Sequence, residues 1–447
     1  MKILLTGLLK TQIAYWGPNV QIDQMSHEEL EHWHELLNKK HDGFKITKLN
    51  LDLTRGKPST EQLDLSNILD GSLKGDYFSI DGIDARNYGN IAGLPSMRSF
   101  GAELLGVKKN EIIVGGSSSL SLMYLTMLFA WQFGLSGLNS AWRDQGKIKF
   151  LCPSPGYDRH FSICEEFGIE MLSVPMDENG PVMDQVEMLV RHDHSIKGIW
   201  CVPKYSNPTG CVYSQDTIER LAKLANISSP GFRIFYDNAY VVHDFHDNTP
   251  DLPNIMDYCR KQNTNNSVLQ FTSTSKVTFA GSGVCFLAAS KENIDVIQKH
   301  LEVFCIGPDK VNQLRHMGVL KDLRNLKKHM KKHAQLLKPK FSCVLEHLKL
   351  NFGNSNLVKW TSPKGGYFIS LDTRPGLASE VVKLSSEAGV KLTPAGATFP
   401  YGVDPEDKNI RIAPSFPALD EINSAMEIFC NSIKLASIKQ KIKVSEE

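Results

Sequence analysis

Short apolar runs alternate with amphipathic, helix-length stretches through the middle of this chain. The runs at 112–114, 148–152, 171–174, 198–202, 232–236, 268–272 and 284–288 are rich in β-branched and aromatic residues. Most are separated by segments long enough for a helix. The pattern predicts an α/β fold whose mostly parallel seven-stranded sheet is flanked by helices. In such sheets ligands collect at the carboxyl ends of the strands, so that is where chemistry is expected.

Outside this region the texture differs. Residues 1–25 show no clear period and predict an irregular arm. Ser26-His-Glu-Glu29 is a capping box. It predicts a helix to about Lys40 with Leu30, Trp33 and Leu37 on one face. The histidines at 27, 32, 34 and 41 form no HExxH pair and predict a solvated face. Residues 322–350 are helical and basic. His329 and His333 stand four apart there, among five lysines at 327, 328, 331, 332 and 338. This predicts a wet helix face rather than a metal site. Pro339 is expected to kink or interrupt the helix. Two further strands, starting at Gly365 and Asn409, predict a second, smaller α+β domain, and the charged residues 439–447 are expected to fray. The expected division is an arm at 1–25, the small domain from 26–75 and 326–440, the large domain at 76–325, and a tail at 441–447.

Composition narrows the function classes. A net charge of +1 over 447 residues gives no electrostatic case for nucleic acid or an acidic membrane surface. No run reaches the ~18 apolar residues of a membrane span. Lys10 cuts short the apolar start of the chain, and no small-residue cleavage site clearly follows, which argues against a secretory signal. The nine cysteines are scattered without a CxxC, as expected for reduced thiols in a cytoplasmic protein. No metal site is expected.

Candidate chemistry lies at the predicted strand ends. The run ending at Phe271 breaks into Thr-Ser273-Thr-Ser275-Lys276 and continues to Gly281 and Gly283. A lysine on a rigid edge beside hydroxyls suits a nucleophilic amine next to an anion site, although alone it could be a surface lysine in a Ser/Thr loop. Gly115-Gly116-Ser117-Ser118-Ser119 follows another strand and opens a helix, which makes either an anion site or a simple N-cap. Asn207-Pro208 follows a third strand. Asp237 and Tyr240 close a fourth, and an aspartate emerging from an apolar strand needs a partner such as a protonated pyridine nitrogen. Arg55-Gly56-Lys57 forms a basic turn that could receive a carboxylate or phosphate.

Taken together, these residues occur in the order and approximate spacing of the fold-type-I pyridoxal-phosphate enzymes. The stretches LDLTRGKPS, RNYGNIAGLPSMR, PGYDRHF, VPKYSNPTG, FRIFYDNAY, STSKVTFAGSGV, GGYFISLD and NIRIAPSFP most closely resemble the aspartate aminotransferases, within them the divergent subgroup Ic. The resemblance covers roughly residues 50–430.

It implies a transaminase that passes an amino group between aspartate or glutamate and a 2-oxo acid by a ping-pong route. Pyridoxal 5'-phosphate is the implied cofactor, with a homodimer sharing its active sites. Lys276 matches the lysine that holds the cofactor and shuttles a proton. Asp237 matches the partner of the ring nitrogen. Asn207 and Tyr240 match the pair on the ring oxygen, and Asn207–Pro208 matches a cis peptide. Gly116, Ser117, Ser118, Ser273 and Ser275 fall at the phosphate cradle. Tyr88 matches a tyrosine that reaches the neighbouring subunit's phosphate. Arg411 matches the grip on the substrate α-carboxylate.

The chain also departs from the pattern. A phosphate-binding arginine expected after the lysine is missing from Gly281-Ser-Gly283, and Tyr157 is the candidate aromatic on the cofactor ring. Arg55, Lys57, Lys204 and Lys310 are candidates for the substrate's distal group, with the Arg55-Gly56-Lys57 turn favoured. The same fold could instead serve an aromatic or kynurenine-type transaminase, or a β-lyase.

Overall fold

The computed structural model describes residues 16–446, apart from 18, 136–140 and 250. The first fifteen residues of the expected arm lie outside the described residues. Eight strands form the main sheet. They are β1 (Ile112–Val114), β2 (Lys149–Ser154), β3 (Glu170–Asp177), β4 (Gly180–Pro181), β5 (Ile196–Cys201), β6 (Arg233–Asp237), β7 (Val268–Ser273) and β8 (Cys285–Ala289). Their order is β1-β8-β7-β6-β5-β2-β3-β4. The pairs from β7 through β6, β5 and β2 to β3 are parallel, while β8 runs antiparallel to both neighbours.

All seven runs became strands. The eighth, β4, is a two-residue hairpin return on β3, too short to leave a pattern in the sequence.

The central strands are apolar throughout because both faces are covered. Phe150, Trp200, Phe235, Phe271 and Leu287 pack under the helix Ser119–Gln132 on one face. Leu151, Ile199, Ile234 and Tyr236 pack on the other against Val186, Ile218, Leu221 and Met256, which come from three further helices. Sandwiched in this way, the sheet is rigid, and its carboxyl edge carries Asp237 at the end of β6 and Ser273 at the end of β7.

The two chain ends share another core. Leu30 and Leu37 from the helix His27–Ile46 join Phe341 and Val344 from Leu323–Phe352, and Ile422 and Phe429 from Leu419–Glu446. An antiparallel sheet of Val358–Trp360, Ile369–Thr373 and Asn409–Ile412 completes it. Val202, Tyr205 and Tyr240 reach into this core from the main sheet.

Four expectations fail, each for a packing reason. The helix Leu323–Phe352 is not interrupted at Pro339. A mid-helix proline costs about 3 kcal/mol, but Leu337, Phe341, Val344 and Leu348 are buried around it, and each contributes about 1.5–3 kcal/mol.

His329 and His333 do not lie on a wet face. They fall on the same inward stripe, whereas Lys327, Lys328, Lys331, Lys332 and Lys338 are exposed. His333 is buried, its ring nitrogens 3.0 Å from Gln62 Nε2 and 3.1 Å from His329. The His329 Nε2 lies 2.7 Å from the carbonyl of Val277, so the pair backs the Lys276 loop.

His41 is also buried, 3.6 Å from Glu387, unlike the exposed His27 and His32. Finally, the charged C-terminal stretch continues the last helix as far as the described residues go. The last helix runs to Glu446, with Ile442 buried and Lys439 and Lys441 paired to Glu380 and Asp23.

Candidate active site

Strand β7 ends in a knot of hydroxyls. Ser273 Oγ donates to Ser275 Oγ at 3.0 Å, and Ser275 Oγ donates to the carbonyl of Ser117 at 2.6 Å. Thr274 O accepts from the amides of Val277 and Thr278, both at 2.8 Å, which turns the chain sharply after the strand. Gly283 lets the two loops meet. A Cβ there would stand 2.9 Å from Ser275 N and 3.0 Å from Ser117 O.

On the facing loop Gly116 O accepts from Cys285 N at 2.8 Å. Ser118 Oγ accepts from Leu120 N at 3.2 Å and caps the helix Ser119–Gln132. Gly116, Ser117, Ser118, Ser273 and Ser275 are thus brought together at the positive end of a helix, a setting for an anion. Among the described residues, no lysine or arginine hydrogen-bonds to these serines. The turn that lacks the arginine is braced by Asn312, whose Nδ2 donates to the carbonyls of Ser282 and Gly283 at 3.1 and 2.9 Å.

Lys276 follows this knot. Its amine sits 5.1 Å from the centre of the buried Tyr240 ring. Burial lowers its pKa, and the nearby Asp237 carboxylate opposes that shift. Burial pushes the Tyr240 hydroxyl well above the usual phenol range. Behind the loop, Tyr367 Oη donates to the Lys276 carbonyl at 3.4 Å.

Asp237 is only 3% exposed. Its Oδ2 lies 3.1 Å from His160 Nε2, and its Oδ1 has no partner. A buried carboxylate oxygen left unpaired is costly, which marks a place built for a donor. His160 lies flat on Trp200, ring centres 4.2 Å apart. Tyr157 meets His160 edge-on at 4.9 Å, and its phenol is pushed up to about 12 by burial, with Asp237 adding to the shift.

Arg411, from the strand Asn409–Ile412, approaches from the other core. It too is buried. Its Nη1 donates to Asp158 Oδ1 at 3.0 Å and Asn207 Oδ1 at 3.3 Å, and its Nε donates to Thr393 Oγ1 at 3.3 Å. The guanidinium lies over the Phe368 ring at 5.1 Å. The Asn207–Pro208 bond is cis, as expected, and so is Ser154–Pro155.

Gly56 packs against the same ring, where a Cβ would come within 2.5 Å of Phe368 Cζ, so the Arg55-Gly56-Lys57 turn abuts the Arg411 site. Arg55 and Lys57 are exposed, Lys57 over the Phe416 ring at 3.7 Å.

Two sequence candidates lie elsewhere. Lys204 is committed to Asp244 at 2.8 Å and to the carbonyl of Val241, and Lys310 donates to Gly89 O at 2.8 Å. Tyr88 stands 79% exposed and makes no side-chain hydrogen bond or ring contact to the site among the described residues.

Sequence reasoning missed His160, Asp158 and Trp200. The first two sit inside PGYDRHF, where a histidine and an aspartate at the start of a helix could have been weighed. Arg159, between them, bears electrostatically on Tyr157.

A lysine beyond the carboxyl edge of such a sheet, with a buried carboxylate one strand away, is the arrangement of the fold-type-I aminotransferases. Comparisons with known proteins lead to the same class. The aspartate amino-transferase family model matches residues 25–445. A protein of Mycolicibacterium smegmatis described as an aminotransferase is 46% identical, covering 94% of this chain and 98% of that one. The aspartate aminotransferase of Corynebacterium glutamicum is 43% identical over 94% of this chain and 97% of its own. The crystal structure of an aspartate transaminase from the same organism superposes with a TM-score of 0.91, covering 94% and 99% of the two chains. The chain belongs to the aspartate aminotransferase family, and it is an aminotransferase.

Proposed function

We propose that this enzyme is a pyridoxal-phosphate-dependent transaminase that moves an amino group between aspartate or glutamate and a 2-oxo acid by a ping-pong mechanism. The observation that carries the reading is Asp237, a buried carboxylate with one oxygen on His160 and the other unpaired. A protonated ring nitrogen is the donor it lacks. Three features support the fit: the unpaired oxygen, the serine knot that Gly283 permits, and the lowered amine of Lys276. Bound there, the cofactor supplies an electron sink next to the substrate's Cα.

The chain's own residues then divide the work. The Lys276 amine holds the cofactor, and once free it moves a proton at the substrate's Cα. Asp237, held by His160, keeps the ring nitrogen charged. Asn207 and Tyr240 serve the ring oxygen, and Tyr157 covers the ring. Gly116, Ser117, Ser118, Ser273 and Ser275 bind the phosphate. Arg411 takes the α-carboxylate. With Lys204 paired to Asp244 and Lys310 to the Gly89 carbonyl, Arg55 and Lys57 of the original candidates remain for the distal carboxylate, beside Gly56.

The exposed Tyr88 supports a homodimer in which it completes the partner's phosphate site. The core shared by residues 26–75 and 326–440 supports a smaller domain built from both chain ends. Nine free cysteines support a cytoplasmic setting, and no described helix is long and apolar enough to cross a membrane.

The test is a half-reaction. Cofactor-loaded protein given aspartate without an acceptor should release about one oxaloacetate per protomer and then stop, as a ping-pong enzyme must. Continued turnover without an acceptor, or no oxaloacetate at all, would overturn the reading.

A further inference from the structure

We infer that Asp158 is an internal stand-in for the substrate's α-carboxylate, holding Arg411 until a substrate displaces it. This rests on the reading of Arg411 above.

A guanidinium as buried as that of Arg411, 5% exposed, needs a compensating charge. Its neighbours Asn207, Thr393 and Phe368 are neutral. Asp158, at 3.0 Å, is the one carboxylate paired with it among the described residues. The two partners are unequally placed. The Arg411 side chain is 5% exposed, whereas that of Asp158 is 34% exposed. Asp158 can therefore turn to water once a substrate carboxylate takes its place on the buried guanidinium, whereas Arg411 cannot reach solvent.

Asp158 also has a favourable resting place when it lets go. It is the first residue of the helix Asp158–Glu166, where the backbone amides and the helix dipole favour an anion.

An incoming α-carboxylate would put two like charges on one guanidinium, so Asp158 has to withdraw. An amine without a carboxylate cannot drive that exchange and meets an Arg411 already satisfied. Asp158 thus acts as a specificity-determining residue through Arg411. It lowers affinity for every substrate in order to reject those that lack the anchoring group. Two residues further on, the same turn of helix carries His160 to Asp237, so the exchange occurs beside the group assigned to the ring nitrogen.

The test uses the cofactor-loaded dimer and calorimetric titration with two unreactive acids, propionate and succinate. Asp158→Asn removes the competing charge and keeps the shape. It should bind both acids more tightly, by about three- to tenfold and by the same factor, because the release acts on the shared carboxylate site. A purely structural residue would not gain affinity when replaced. Asp158→Ser, compared by thermal melting, serves if the asparagine variant folds poorly. Unchanged or weaker binding in both variants, with Arg411→Lys losing binding, would overturn the inference and leave the role of Arg411 standing. Wild-type binding in Arg411→Lys would overturn both. Tighter binding of succinate alone would place Asp158 at the distal end and also overturn it.

Discussion

Replacing Gly283 with alanine tests the phosphate cradle through its geometry. The added Cβ would lie 2.9 Å from Ser275 N and 3.0 Å from both Ser117 O and Ser275 Cα. Each contact is about 0.4 Å or more inside ordinary van der Waals distance, and each is with backbone that cannot swing aside. The loops must part, and the 2.6 Å bond from Ser275 Oγ to Ser117 O lies between them. Overpacking of this kind costs about 1–3 kcal/mol of fold stability. Loss of one charge-assisted bond to a phosphate costs about 1.5–3 kcal/mol more in cofactor binding. The dissociation constant for pyridoxal phosphate, read by titrating the apoprotein, should rise about 10- to 100-fold. Gly281→Ala is the matched control, because nothing lies within 4 Å of its Cβ. Wild-type cofactor affinity in Gly283→Ala, or equal loss in both variants, would refute the assignment of these serines to the phosphate.

Acid should destabilise the protein through two buried histidines. Burial holds His243 and His333 down to about 3, against 6.5 when exposed. Above 6.5 neither state carries the proton. Between 6.5 and about 3 the unfolded chain takes it up and the folded chain does not. Stability should therefore be level above neutrality and fall as pH drops, by up to about 1.4 kcal/mol per pH unit for each histidine. Urea midpoints at about pH 7.5 and about pH 5 read this, and equal midpoints would contradict it. The proposed sharing of active sites between subunits is checked by mixing two impaired variants. Tyr88→Phe with Lys276→Ala should yield hybrids that regain activity, since one site of each hybrid is whole. No recovery after confirmed subunit exchange would count against the shared site.

The sheet was readable in the sequence because its strands are buried on both faces and so appear as unbroken apolar runs. Lys276, Asp237 and Asn207 stood out in the sequence because each ends or follows an apolar strand, whereas Arg411 was singled out by the family resemblance alone. What escaped was set by contacts distant in sequence. The long helix hid its inward histidines because lysines share that stretch of sequence. Only the fold shows that 326, 330, 333 and 337 are all buried and that His333 meets Gln62, which in turn donates to Tyr367. His160 and Asp158 took their meaning from Asp237 and Arg411, residues 77 and 253 positions away. Pro339 misled because local propensity was outweighed by burial on both sides of it. The distal-group candidates were thinned only when Lys204 and Lys310 were seen with their partners.

If the Lys276 amine holds the cofactor, the bond between them can be trapped chemically. Borohydride treatment of the cofactor-loaded protein, followed by proteolysis and mass spectrometry, should place the reduced pyridoxyl group on Lys276 and nowhere else. Lys276→Ala should retain no covalent cofactor after the same treatment. A pyridoxyl group found on another lysine, or an unlabelled wild-type protein that is nonetheless an active transaminase, would contradict the account.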